Sequence, residues 1–203
     1  MNLMTSTQRD WGQFALLLID VQKDFWTEER AKNFTHFPTN IVRLLTLCRT
    51  EDMEVIHLRS IFKPDMSDWM PKYKLRRWIP CVQGTAGVET LPFALDNPGE
   101  TIITKQTFDG FCNPELLRYL REKRKRFVLT AGLLTSVCVF LTTASAAQKG
   151  FLAAMVEDCC ADDPHAHEHT LNRYDFVFQR TTVDCFSEQY PDWVAALKKL
   201  DEL

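Results

Sequence analysis

No stretch of these 203 residues is apolar for long enough to span a bilayer, which takes about 20 consecutive residues. Positive charge is not in excess either: the net charge of −3 gives no general attraction to nucleic acid or to an anionic membrane. The opening segment, Met1 to Gln13, mixes Arg9, Asp10 and Trp11 and has no apolar core of the kind a secretory leader needs. The final Leu200-Asp201-Glu202-Leu203 is close to an endoplasmic-reticulum retention tail, but no entry signal accompanies it. The cysteines, at positions 48, 81, 112, 138, 159, 160 and 185, are odd in number and form no Cys-x-x-Cys or Cys/His ligand spacing. Free thiols in a reducing compartment, the cytoplasm, are the expectation. No internal repeat, low-complexity tract or linker divides the chain, so residues 1–203 are expected to form one domain.

What is present alternates strand and helix. Residues 14–19 form a continuous apolar run ending at Asp20, the signature of a strand buried on both faces. Ile41, Leu44, Leu45 and Cys48 recur at helical spacing over residues 39–50, and a second strand follows at 54–58. Residues 59–97 are irregular and rich in Pro, Trp and charge, and segments of that length are often lids or binding loops. A third strand spans 100–104, and Asn113-Pro114-Glu115 opens a helix over 114–123. A fourth strand covers 127–131, and Gly132 to Thr135 turn into a helix that runs to Gln148 and stops at Gly150. The remaining elements are a fifth strand at 151–156, a helix opened by Asp163-Pro164, a sixth strand at 178–183 and a last helix at 190–200 starting near Pro191. Strands separated by helices pair in parallel through right-handed crossovers, which predicts an α/β fold with a doubly wound sheet.

Ligands of such sheets bind beyond the carboxyl ends of the strands. Asp20 follows the first strand, Lys105 the third, and Cys138 lies just past the fourth. An acid, a cation and a thiol from distant parts of the chain can thus meet at one edge. Taken singly, each has a plain role: packing for a cysteine in an apolar helix, a cap or a solvated terminus for the charged pair. Together they suit nucleophilic catalysis. Near a helix start, unpaired N–H groups and the helix dipole favour a thiolate, which predicts a lowered pKa for Cys138. Asp20 can take the thiol proton and return it to a leaving amine, and Lys105 can hold the carboxylate in place.

Several motifs together resemble the isochorismatase-like cysteine hydrolase family. Ala15-Leu16-Leu17-Leu18-Ile19-Asp20-Val21-Gln22-Lys23-Asp24-Phe25 looks like that family's opening strand, and Gly84-Thr85-Ala86-Gly87 is similar to its Gly-Thr-x-Gly loop. Thr104-Lys105 with Phe108 to Phe111 resembles its lysine segment. Gly132-Leu133-Leu134-Thr135-Ser136-Val137-Cys138-Val139 looks like its nucleophile turn, and Gly150-Phe151 with Glu157-Asp158 resembles the strand that follows. The resemblance, over roughly residues 14–185, implies a three-layer Rossmann-like fold with a six-stranded, mainly parallel sheet flanked by helices. It also implies a catalytic triad of Asp20, Lys105 and Cys138, a cis peptide at Leu133–Leu134, and an oxyanion hole from the backbone of Leu134 and Cys138. Members hydrolyse C–N bonds of small amides, ureides or carbamoyl compounds through a thioester and commonly assemble as homodimers or homotetramers.

The departures narrow this. Nicotinamidases of the family bind a metal through Asp-x-His and a further His after the second strand, whereas here Arg59-Ser60-Ile61-Phe62 is followed by Asp65 and Asp68. No metal and no cofactor are therefore expected, and nicotinamide is not the first-choice substrate. Phe108-Asp109-Gly110-Phe111 stands where the family often has Ser-Ala-Phe, which alters the substrate wall. Isochorismatases proper, which cleave a vinyl ether without relying on a nucleophilic thiol, are the alternative. A non-catalytic binding member of the same fold is another. A nucleotide- or flavin-binding module is disfavoured because no Gly-x-Gly-x-x-Gly follows the first strand. Phe25, Trp26 and Phe108 are expected at the pocket, and Arg59 could bind a substrate carboxylate. His165, His167 and His169 read as solvated first turns of a helix rather than metal ligands.

Overall fold

The computed structural model describes residues 9–203. The expectation about a leader over Met1 to Gln13 falls largely outside the described residues. Three layers enclose a six-stranded sheet of order β3-β2-β1-β4-β5-β6, in which every pairing is parallel. Its strands are β1 (Phe14–Ile19), β2 (Glu54–Ser60), β3 (Thr101–Lys105), β4 (Phe127–Leu133), β5 (Leu152–Ala161) and β6 (Gln179–Thr181). The helices are α1 (Glu28–Asn33), α2 (Phe37–Thr50), α3 (Pro71–Arg76), α4 (Pro114–Glu122), α5 (Phe140–Gln148), α6 (Pro164–Arg173) and α7 (Phe186–Asp201).

Side chains alternate across a strand, and β1 feeds both faces of the sheet. Phe14, Leu16 and Leu18 pack with Ile41, Leu44 and Cys48 of α2 and with Trp193 and Leu197 of α7. Ala15, Leu17 and Ile19 face the other way, onto Leu116 and Leu120 of α4, Ala146 of α5 and Leu171 of α6. An unbroken apolar run is therefore what a central strand with two covered faces requires. β1 lies between β2 and β4, where the strand order reverses, and this puts the end of β1 at the topological switch point.

Several boundaries differ from expectation. β2 continues to Ser60, β3 includes Lys105, and β4 runs on to Leu133, so each reaches the residues that build the site. β5 extends to Ala161, and its register against β4 jumps between Thr130↔Met155 and Gly132↔Cys160. The sequence displays an apolar run only up to Val156, where Glu157-Asp158 interrupts it within the strand. The last helix begins at Phe186, with Pro191 inside it rather than at its start. Buried Phe186 and Trp193 anchor that helix on the sheet across the proline. The short helix α1, capped by Thr27 accepting from the Arg30 N–H, has no apolar periodicity to announce it. The 59–97 segment is partly ordered: it carries α3 and short turns, with Phe62, Trp69, Ile79 and Cys81 in a small core of its own.

Candidate active site

The carboxyl ends of β1, β2 and β3 and the turn after β4 converge on one buried cluster. Asp20 follows β1 in a left-handed backbone conformation, φ 50°, and its N–H donates to the Leu58 carbonyl of β2 at 2.9 Å. This bend turns the carboxylate across the sheet end. The Asp20 carboxylate accepts from the Ser60 backbone N–H at 2.9 Å and from the Lys105 ammonium at 2.6 Å. Lys105 also donates to Ser60 Oγ at 2.9 Å and to the Thr107 carbonyl at 3.0 Å. An ammonium has three protons to give, and all three have acceptors here.

Gln22, fully buried, clamps the cluster from below. Its Nε2 donates to the carbonyls of Ser60 and Val88, and its Oε1 shares the Ser60 N–H. The Gly-Thr-x-Gly segment packs behind it: a Cβ at Gly87 would lie 2.0 Å from Asp24 Oδ2. That carboxylate accepts from the Cys81 N–H at 2.6 Å. Only a residue without a side chain fits that approach.

Cys138 sits on a wide π-helical turn, Thr135–Val139, which passes directly into α5. π turns of this kind recur at functional sites. The peptide before the turn, Leu133–Leu134, is cis. Gly132 holds the strand end close to β1, with φ 124° and a hypothetical Cβ only 2.0 Å from the Ile19 carbonyl oxygen. The turn is tied down from β5 and α6. Asp162, buried, accepts from Ser136 N–H at 2.8 Å and Ser136 Oγ at 2.6 Å. His167 Nδ1 and Thr135 Oγ1 are 2.8 Å apart.

The thiol of Cys138 is 5% exposed, and burial pushes its pKa above the ordinary value. The facing Asp20 carboxylate pushes the same way, while Lys105 opposes. The direction is opposite to the expected lowering, and loss of water around the sulfur is its largest cause. Lys105 is also desolvated, yet the charges of Asp20 and Cys138 outweigh that and raise its pKa.

Cys138 opens onto a cavity of about 190 Å³. Ser60, Leu134 and Thr107 share its floor with the sulfur, and Phe25, Phe62, Tyr73 and Phe108 form its walls. Met70, Ile79 and Pro80, from the long 59–97 segment, close the outer side. Phe25 and Phe108 therefore lie where the sequence placed them. Trp26 does not: it stacks on Phe37 at 4.9 Å between ring centroids and meets Phe93 edge-on, joining the α2 side of the core. Arg59 does not either. Strand alternation sends it away from Ser60, and it pairs with Asp96 at 2.5 Å.

His165 and His169 are exposed as expected, whereas His167 is turned inward to Thr135. Asp65 and Asp68 serve their own loop, accepting from Ser67 and from the Lys63 N–H. Among the described residues no group of three or more His, Cys, Asp or Glu is placed to hold a metal ion. Ser60, Gln22, Thr107 and Asp162 were not singled out from sequence. Only the spacing of Gln22 two residues past Asp20 could have pointed to one of them.

An isochorismatase domain model matches residues 14–184. The chain belongs to the isochorismatase family. Isochorismatase family protein YddQ of Bacillus subtilis is 26% identical over 149 residues, covering 72% of this chain and 77% of that one. The ureidoacrylate amidohydrolase RutB of Rhizobium rhizogenes is 24% identical over 210 residues, covering 92% and 81%. Among solved structures, an isochorismatase family protein from Desulfovibrio vulgaris superposes with a TM-score of 0.79 at 25% identity, over 87% of this chain and 97% of that one. The family fold is thus shared nearly end to end, and the Asp20–Lys105–Cys138 cluster lies within the matched span.

Proposed function

We propose that this isochorismatase-family chain is a cysteine amidohydrolase that cleaves the C–N bond of a small amide, ureide or carbamoyl compound. The observation that carries the reading is a thiol at the floor of an apolar cavity, coupled to a fully buried Asp20–Lys105 pair. Burying two charges is costly, and a network of buried polar groups from Gln22 and Ser60 is built around this pair. The amidohydrolase named among the relatives adds support for the bond type.

In this mechanism Asp20 takes the Cys138 proton as the sulfur attacks the carbonyl carbon, forming the C–S bond. Burial disfavours a free thiolate, which favours a transfer that accompanies the attack. The oxygen of the tetrahedral intermediate is held by the backbone N–H groups of Leu134 and Cys138. Collapse breaks the C–N bond, and Asp20 passes its proton to the departing nitrogen, releasing ammonia or an amine and leaving a thioester. Asp20 then takes a proton from water as that water attacks. The C–S bond breaks, and the proton returns to sulfur. Lys105 keeps the carboxylate aimed throughout.

The test is ammonia release from a panel of small amides and ureides by the native chain and by Cys138→Ala and Cys138→Ser. Both variants are expected to fold normally and to lose at least about 1,000-fold in kcat. Retained turnover in either would overturn the assignment.

A further inference from the structure

The same cavity carries information about what it admits. Among the described residues, those that line it include no Asp, Glu, Lys, Arg or His. Its walls are Phe25, Phe62, Tyr73 and Phe108, closed by Met70 and Ile79. Lys105, which is not among the lining residues, donates to Asp20, Ser60 and Thr107. Two nearby guanidinium groups are engaged elsewhere, Arg59 with Asp96 and Arg30 with the carbonyl of Phe25. Neither of them lines the cavity.

A carboxylate brought into such a space would lose its water and gain no cationic partner from the lining. Volume restricts the ligand as well: about 190 Å³ is below the range of roughly 300–1,000 Å³ typical of drug-sized ligands. Four aromatic or aromatic-edged walls around a small volume suit a flat or compact apolar group.

We propose that the Cys138 cavity selects small uncharged amides with an apolar acyl group, of about one ring in size, and excludes acyl groups that carry a carboxylate. This rests on the hydrolase reading above. It separates this chain from the ureidoacrylate amidohydrolases among its relatives, because an acrylate carries the very charge the cavity cannot pair. Hydrolysis itself turns the neutral amide into a carboxylate, RCONH2 and water giving RCOO⁻ and NH4⁺. The cavity thus holds substrate better than product.

Matched pairs test this: benzamide against 4-carboxybenzamide, and butyramide against succinamic acid, followed by ammonia release with Cys138→Ala as the blank. The neutral member of each pair is expected to exceed the anionic one by at least about 100-fold in kcat/KM. Met70→Arg, at the half-buried rim, is expected to narrow that ratio by at least about 10-fold. Cys138-dependent turnover favouring the anionic members would leave the hydrolase reading standing and overturn the selectivity.

A second measurement does not need turnover. Iodoacetamide and iodoacetate differ only in the neutral amide and the carboxylate, and the exposed Cys112 is an internal reference for their intrinsic rates. The amide-to-acid rate ratio at Cys138 is expected to exceed that at Cys112 by about 10-fold or more. This ratio without any amide hydrolysis would sustain the selectivity while the hydrolase reading fails. Equal ratios at the two cysteines, or no labelling of Cys138 by either reagent, would overturn the proposal.

Discussion

Replacing Lys105 with methionine probes the centre of the site through stability alone. Lys105 is 1% exposed and Asp20 is fully buried, with 2.6 Å between ammonium and carboxylate. Methionine keeps most of the volume but strands the Asp20 charge, which keeps the Ser60 N–H and the neighbouring Cys138 thiol but loses its cation. Breaking one side of a buried pair costs about 3–5 kcal/mol. In a domain of this size that corresponds to a drop of about 6–20 °C in Tm. Asp20→Asn combined with Lys105→Met removes both charges and should recover at least about half of that loss. The measurement is urea unfolding at pH 7, followed by circular dichroism, for the native chain, both single variants and the double. The pH dependence has a definite sign. Lys105 is raised above its ordinary value in the folded chain, so its contribution is complete below the unfolded lysine pKa and fades only as alkaline pH passes the folded one. The gap between native and Lys105→Met chains should therefore be flat through neutrality. A single-variant loss under about 1 kcal/mol, or a double variant that loses the sum of the two singles, would refute the view of Asp20 and Lys105 as a mutually dependent buried pair.

Gly132→Ala should cost about 3 kcal/mol or more, through a disfavoured backbone at φ 124° and a Cβ 2.0 Å from the Ile19 carbonyl. An unchanged denaturation midpoint would contradict that geometry. Asp162→Ala leaves the Ser136 N–H and hydroxyl without their acceptor and should cost about 1–3 kcal/mol. Its kcat should fall with little change in KM, because the turn holding Cys138 loosens while the cavity walls stay; a change confined to KM would count against this. Glu100 is desolvated, but Arg49, the Asn97 N–H and His57 hold its pKa down to about 2. Its stabilisation is present above the ordinary glutamate range and lost as pH falls toward 2. Glu100→Gln should therefore flatten the acid limb of the stability profile, and superimposable limbs in the two chains would exclude that role.

The sheet, its parallel sense and the convergence of Asp20, Lys105 and Cys138 were legible because buried strands and strand-end polar residues are local patterns. β1 reads as 14–19 from its apolar run alone, and the observed bounds agree. The substrate-side residues were less legible. Trp26 and Phe25 are neighbouring aromatics that both touch the α2 side of the core, yet only Phe25 also lines the cavity. Which way each turns is set by the short helical turn at Lys23–Phe25, and no periodicity encodes that. Arg59 looked like a carboxylate binder from its place at the end of β2, but Ser60 is the residue of that pair which faces the cluster. The direction of the Cys138 shift was missed because a helix start is visible in sequence and the depth of burial is not.

The β1–β4 pairing, with Leu17 beside Thr130, joins parts of the chain far apart in sequence. Nearly two-thirds of the chain must be synthesised before that seam can close, and Cys138 comes only after it. Contacts of such long range are slow to form. On refolding, helical signal should therefore return well before turnover does. A fragment severed just before β4 would hold Asp20 and Lys105 without Cys138, and is expected to show no turnover by itself.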